Sequence, residues 1–260
     1  MAETHGFRIE ARGIGKRFSG QAAPTLSALD LTIGGGEFVS LLGPSGCGKS
    51  TLLRLLAGLL RPSEGTIRWV APDGSSASGT RLPDIALVPQ EPTLLPWKTV
   101  FDNVSLPLRL RGTARAAAAP RVLDLLRALG LEGREKSWPR ELSGGMKMRV
   151  SIARALVTEP DFLLMDEPFA ALDELTRHRL NDDLRALYTQ RRPTVILVTH
   201  SVEEATFLST RIVALSRGRV AWDLPVDFGP ERAGLRDHAA FQALRGDIAA
   251  RLRADQAALS

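Results

Sequence analysis

The sequence predicts an α/β chain with an N-terminal antiparallel β subdomain and an inserted α-helical subdomain. Three observations predict it. Short apolar runs separated by turn residues crowd the first third of the chain. A leucine- and alanine-rich stretch with helical spacing fills the middle, and buried-type strands alternate with helices after it. With 260 residues, 44% hydrophobic and 24% charged, the chain is long enough to bury a sizeable core. That composition excludes a disordered chain, a collagen-like chain and a coiled-coil rod.

Runs 7–11, 26–33 and 66–70 read as strands of the antiparallel layer. Residues 37–42 (EFVSLL) form a short apolar strand that ends in a glycine-rich loop. Leucines at helical spacing follow over 50–60, with Gly58 and Pro62 near the end. Residues 85–88 are a further buried strand. From about 91 to 158 the pattern turns helical and marks the inserted subdomain; its segment 121–129 stops at Gly130, a suitable C-terminal glycine. A strand over 162–165, a helix over 174–188 and a strand over 194–199 come next. Ser201 and Glu204 match a capping box for the helix that follows. Arg217-Gly218 then turns a hairpin between 211–216 and 219–222. This division gives a first domain, 1–222, and a helical tail, 223–260. In the tail Phe241, Leu244, Ile248 and Leu252 keep helical spacing and should dock as one amphipathic helix.

The net charge of +5 comes without any block of five or more Lys/Arg, so it reads as a solvated arginine-rich surface, with no nucleic acid expected. No stretch reaches about 18 uncharged apolar residues, the length a membrane span needs. The opening residues MAETHGFRIEARG lack an apolar signal core, which argues against secretion. A single cysteine, Cys47, forms no internal disulfide and fits a reducing compartment.

Chemistry concentrates in three places. Gly43-Pro44-Ser45-Gly46-Cys47-Gly48-Lys49-Ser50, followed by Thr51, fits G-x-x-x-x-G-K-[ST]. Its glycines let the backbone wrap a phosphate with its N–H groups turned inward, Lys49 supplies a point charge, and the Ser50 hydroxyl can ligate Mg²⁺. Cys47 is then packing or backbone geometry rather than a nucleophile. The apolar strand 162–165 runs into Asp166 and Glu167, one carboxylate for a Mg²⁺ shell and the next to polarise a water. Leu142-Ser143-Gly144-Gly145-Met146 opens a helix and offers a second phosphate-sized anion site, though alone it reads as an ordinary cap.

Taken in order, these motifs resemble the nucleotide-binding subunit of an ATP-binding cassette (ABC) transporter. GPSGCGKST resembles Walker A, LVPQ with Gln90 the Q-loop, and LSGGM the signature LSGGQ. FLLMDEP resembles Walker B with its glutamate, Ala171-Leu172-Asp173 the D-loop, and Val198-Thr199-His200 the switch histidine. The resemblance covers about residues 7–222. It implies a P-loop NTPase (RecA-like) core that binds ATP and Mg²⁺, with Ser50, Gln90 and Asp166 at the metal. Glu167 would activate the attacking water, His200 would hold the γ-phosphate, and Gln90 would couple both to the partner. Phe18, about two dozen residues before Walker A, would stack on adenine. In the family two cassettes close head to tail, so each ATP would meet Ser143, Gly144 and Gly145 of the other copy, and Asp173 would cross the interface.

The signature ends in Met146 instead of glutamine, and LSGGM, TLLPWKTVFDNVSLPL and DEPFAALDELTR resemble the nitrate/sulfonate/taurine group of importers. The implied partners are a second cassette, separate transmembrane permease subunits, and a periplasmic or lipid-anchored solute-binding protein. The implied place is the cytoplasmic face of the inner membrane, as a peripheral subunit. Segment 93–104, with Leu94, Leu95, Trp97, Val100 and Phe101, is the expected docking surface. The competing reading is a non-transport ABC ATPase acting on DNA. No coiled-coil arm interrupts the motifs to support it.

Overall fold

A computed structural model of the chain describes residues 6–77 and 82–257. Residues 1–5, 78–81 and 258–260, which belong to the two predicted domains, lie outside the described residues. The elements run β1 (Arg8–Lys16), β2 (Leu26–Ile33), β3 (Phe38–Leu42), α1 (Lys49–Leu56), β4 (Glu64–Val70), β5 (Ile85–Val88), α2 (Val100–Leu110), α3 (Arg115–Ala128), α4 (Gly144–Leu156), β6 (Phe162–Asp166), α5 (Glu174–Arg191), β7 (Thr194–Thr199), α6 (Val202–Leu208), β8 (Arg211–Ser216), β9 (Arg219–Pro225) and α7 (Ala239–Ala257). They divide into two units, one of residues 1–83 with 194–260 and one of Asp84–Pro193.

In the first unit β2, β1 and β4 form an antiparallel sheet in that order. Every second or third residue of β2 faces the core: Leu26, Leu29, Leu31 and Ile33 are buried. Strand β1 runs on to Lys16, well past its expected end. A register shift between Ala11 and Ile14 absorbs Gly13, so the apparent breaker is a bulge within the strand. Strand β4 starts at Glu64, earlier than expected, for a related reason. A Cβ on Gly65 would stand 2.4 Å from the carbonyl oxygens of Arg12 and Gly13, so this glycine marks a close backbone approach.

The same unit holds β3 between parallel neighbours β7 and β8, with β9 antiparallel on β8. All residues of β3 and β7 are buried, which is why they read as continuous apolar runs. Helix α1 begins at Lys49 and ends before the expected residue 60, because Gly58 turns left-handed behind it. Strand β9 continues to Pro225, and α7 starts only at Ala239. The tail is therefore not helical from residue 223. Gly229 and Gly234, both at positive φ, and Pro230 keep the intervening chain out of α-helix, with a single 3-10 turn at Leu235–Asp237. From Ala239 onward the amphipathic expectation holds. Phe241 and Ile248 are fully buried, and Leu244 and Leu252 pack on a cluster of Leu42, Ala205, Ile212, Val226 and Ile248.

The second unit pairs β5 and β6 in parallel, Ile85 opposite Phe162 through Val88 opposite Met165. Helices α2, α3 and α4 pack on one another, and α5 packs on α4. Residues 91–99 are not helical. Pro92 and Pro96 interrupt them, and the Thr99 hydroxyl accepts from the Asp102 N–H to open α2. Helix α3 begins earlier than expected and runs through Pro120. Helix α5 extends to Arg191 and closes on Arg192 in the left-handed region.

Candidate nucleotide site

The first unit places the phosphate loop and His200 side by side. Parallel pairing sets Leu42 opposite Thr199, so Gly43 and His200 leave adjacent strands at the same end. That end is where α/β sheets bind ligands. Two of the loop's glycines are required by space. A Cβ on Gly43 would lie 2.4 Å from the Leu215 carbonyl oxygen, and one on Gly48 would lie 2.7 Å from Leu26 Cδ2. Gly46 is at positive φ with nothing near it, so its glycine answers to conformation alone. Lys49 is buried, and its ammonium donates to the carbonyls of Gly43 and Pro44 at 2.8 and 2.9 Å. The loop thus curls around its own lysine and holds that charge at the start of α1. Cys47 is buried beside it, and burial pushes its thiol above the usual range. A thiol so held stays protonated and makes a poor nucleophile.

His200 is exposed on a short braced turn. The Thr199 hydroxyl accepts from the Ser201 N–H at 3.0 Å and donates to Glu204, while Ser201 Oγ accepts from the Glu204 N–H. Ser201 caps α6 as expected, but the reciprocal half of the capping box is replaced: the Ser201 N–H goes to Thr199 and the Glu204 carboxylate accepts from the Thr199 hydroxyl, a link the sequence reading missed. Phe18 lies in the loop after β1, about a third exposed, with Lys16 Nζ 5.2 Å from its ring centroid. It is no strand core residue.

The second unit gathers the remaining residues at two places. Parallel β5 and β6 end together, Val88 opposite Met165, so the turn with Gln90 and the carboxylates of Asp166 and Glu167 leave the same end. Gln90 is exposed; Asp166 and Glu167 are half-buried. Glu167 sits at φ 47°, just before Pro168. That conformation is disfavoured for a residue preceding proline and costs on the order of 1–3 kcal/mol. Arg154 on α4, which the sequence reading missed, donates to the carbonyls of Pro92 and Thr93 and to the Thr93 hydroxyl. It ties down the chain just behind Gln90. Arg154 follows Lys147 and Arg149 in a regular helical run, so no local signal singles it out.

The second place is the paired start of α4 and α5. Ser143 caps α4 by accepting from the Met146 N–H at 3.2 Å. A hydroxyl held this way keeps its own proton to donate to an anion. Gly144 is exposed with open space around it, whereas a Cβ on Gly145 would stand 2.5 Å from Thr176 Cγ2 on α5. Asp173 caps α5 through the Thr176 N–H at 3.0 Å, and that bond holds its carboxyl below the usual range.

Loop 93–99 is also held by buried Asn103. Asn103 accepts from the Leu95 N–H and reaches the carbonyls of Leu95, Lys98 and Thr99. Val100, Phe101 and Val104 are buried and belong to the helical core, so the expected docking surface loses them. Trp97 is 68% exposed and remains on it, with Leu94 and Leu95 half-buried.

The family described as ABC transporter matches residues 26–170, more than half of the chain. The chain belongs to the ABC transporter family. An aliphatic sulfonates import ATP-binding protein of Pseudomonas aeruginosa is 43% identical over 96% of this chain and 86% of its own. One from Rhodococcus jostii is 44% identical over 87% of this chain and 86% of its own. Among solved structures, a dimeric post-hydrolysis state of the ATP-binding cassette MJ0796, bound to ADP and Pi, has a TM-score of 0.72. It is 32% identical and matches 85% of this chain and 100% of its own. CbiO1 from Clostridium perfringens, part of an ABC transporter complex, has a TM-score of 0.75 at 26% identity, over 90% of this chain and 92% of its own. The P-loop NTPase fold expected from the motifs is therefore present, and the chain is an ABC ATPase that binds nucleotide. The likeness to the sulfonate-importing group extends nearly end to end. Nothing in these comparisons favours an ABC ATPase acting on DNA. Among the described residues no helix is long and apolar enough to cross a membrane.

Proposed function

We propose that the chain powers uptake of a small sulfonate-like solute as the MgATP-hydrolysing subunit of an importer. The observation that carries this reading is the end-to-end similarity to aliphatic sulfonates import ATP-binding proteins, 43% identical across 96% of the chain. The cassette works as a head-to-tail dimer at the cytoplasmic face of the inner membrane. Separate permease subunits form the path, and a solute-binding protein delivers the cargo.

The donor chemistry fits the cofactors. The Ser50 hydroxyl, the Gln90 amide oxygen and the Asp166 carboxylate are hard oxygen ligands of the type Mg²⁺ takes alongside nucleotide phosphates. When bound, Mg²⁺ neutralises charge on the β- and γ-phosphates. Gly43 to Thr51 wraps the phosphates, with Lys49 as the fixed cation, and Phe18 stacks on adenine. Glu167 orients and deprotonates the attacking water, and His200 holds the γ-phosphate. Ser143, Gly144 and Gly145 reach the nucleotide held by the other copy, near Asp173 of their own subunit. ATP binding shifts the population towards the closed dimer, and hydrolysis reverses the shift.

Loop 93–99 passes this motion to the permease through Trp97. The test is a tagged pull-down from membranes in mild detergent. The natural chain brings down a multi-span membrane protein in stoichiometric amount. Trp97→Ala weakens that capture by about 2 kcal/mol, the scale of a hot-spot aromatic, and leaves ATP affinity intact. Capture of nucleic acid or soluble repair factors, with no membrane protein, would sink the transport reading.

A further inference from the structure

The chain after β9 is tied to α6, the helix that starts two residues past His200. Arg232 is 5% exposed, and its guanidinium donates to the carbonyls of Thr206 at 3.4 Å and Ser209 at 3.2 Å. Those carbonyls belong to the C-terminal end of α6, where helical partners run out and positive charge is favoured. At the other end, Glu203 in the first turn of α6 takes ion pairs from Arg236 at 3.4 Å and Arg245 at 3.5 Å. Arg236 also lies 3.7 Å over the ring of buried Phe207, near the C-terminal end of α6. The chain after β9 and helix α7 therefore hold α6 at both its first and its last turn. Phe228, packed against Phe241 with ring centroids 6.0 Å apart, secures the irregular chain to α7.

The same segment packs against the strand that leads into the phosphate loop. Val226 and Ile248 share one core cluster with Leu42, Ala205 and Ile212. Leu42 is the residue just before Gly43, and Ala205 is on α6. His200 itself is on an exposed turn whose geometry depends on Thr199 and Glu204, the latter also on α6. A rotation of α6 would carry His200 with it, while Lys49 would stay fixed by its own loop carbonyls.

We infer that residues 226–248 form a clamp that sets the position of His200 relative to the phosphate loop, with Arg232 as its chief positioning residue. The inference rests on the reading of His200 as a γ-phosphate contact. The clamp touches no nucleotide. It acts on the turnover step through α6 and leaves the wrap of the phosphates unchanged.

The experiment measures kcat for ATP and nucleotide affinity on the purified full-length chain. Arg232→Gln lowers kcat by about 3- to 10-fold with ATP Kd changed less than about twofold, the signature of an interaction that acts in turnover and not in ground-state binding. Arg232→Lys, able to serve one carbonyl, recovers part of the loss. Glu203→Gln, which removes the partner of Arg236 and Arg245, gives a smaller fall of the same kind and serves as the deciding variant if Arg232→Gln does not fold. Trp222→Phe cuts the indole N–H bond to Asp255 at the far end of α7 and leaves kcat unchanged. Unchanged kcat in folded Arg232→Gln or Glu203→Gln overturns the clamp. So does a parallel fall of kcat and affinity, or an equal fall in Trp222→Phe. His200→Ala, measured alongside, separates the two claims. Normal turnover there refutes the role of His200. Loss of turnover there, with the clamp variants unaffected, refutes the clamp alone.

Discussion

Gly144 and Gly145 are adjacent in sequence and opposite in constraint. A methyl group on Gly145 would meet Thr176 at 2.5 Å, whereas one on Gly144 would meet nothing within 4 Å. Gly145→Ala should therefore cost about 1–3 kcal/mol by forcing α4 from α5, visible as a lowered Tm in thermal unfolding. Gly144→Ala should unfold at or slightly above the natural temperature and lose activity only when two cassettes meet. Equal Tm losses at the two positions would contradict the packing account. Cys47 gives a second residue-scale test. Its buried thiol is held protonated, so at pH 8 it should react with an alkylating reagent roughly tenfold or more slowly than an exposed cysteine. Alkylation at the rate of a free thiol would show the loop to be open.

Elements show where sequence and structure part company. The runs 26–33, 85–88 and 194–199 match β2, β5 and β7 end to end, because apolar runs bounded by turn residues announce both limits. Strands β1 and β4 outrun their expected limits at Gly13 and Gly65, where a bulge and a close backbone approach look like breaks in a one-dimensional pattern. The phosphate loop, Glu167, Ser143 and His200 stood out in the sequence because their motifs fix residue type and spacing, and the structure sets them at strand ends and a helix start. The hydrogen-bond ties of Arg154, Arg232 and Thr199 did not, since each depends on a partner that only the fold brings near. Helix α5 carries a pH test. The Thr176 N–H holds the Asp173 carboxyl below its ordinary pKa, so the folded chain prefers it ionised. The stabilisation is present above the unfolded-state pKa and is lost as pH falls through the lower folded value. The Tm gap between the natural chain and Asp173→Ala should be open at pH 6 and narrow below about pH 4. A gap constant across that window would mean the cap does not depend on charge.

At the scale of the whole molecule, the motifs divide between two compact units. Lys49 and His200 stand on one; Gln90, Glu167 and the start of α4 stand on the other. Within each unit the strands bring their residues to a common end. The family reading adds that the start of α4 serves the nucleotide of a second copy, which explains an anion site so far in sequence from the phosphate loop. That claim is open to direct measurement by light scattering of the eluting chain with ATP present. Glu167→Gln, which should slow hydrolysis by about 10²–10⁴-fold, should trap the closed pair and elute as a dimer in ATP and a monomer in ADP. Adding Ser143→Arg should leave ATP binding intact and return the protein to monomer. A double variant that still binds ATP and still dimerises as fully as Glu167→Gln would contradict the account.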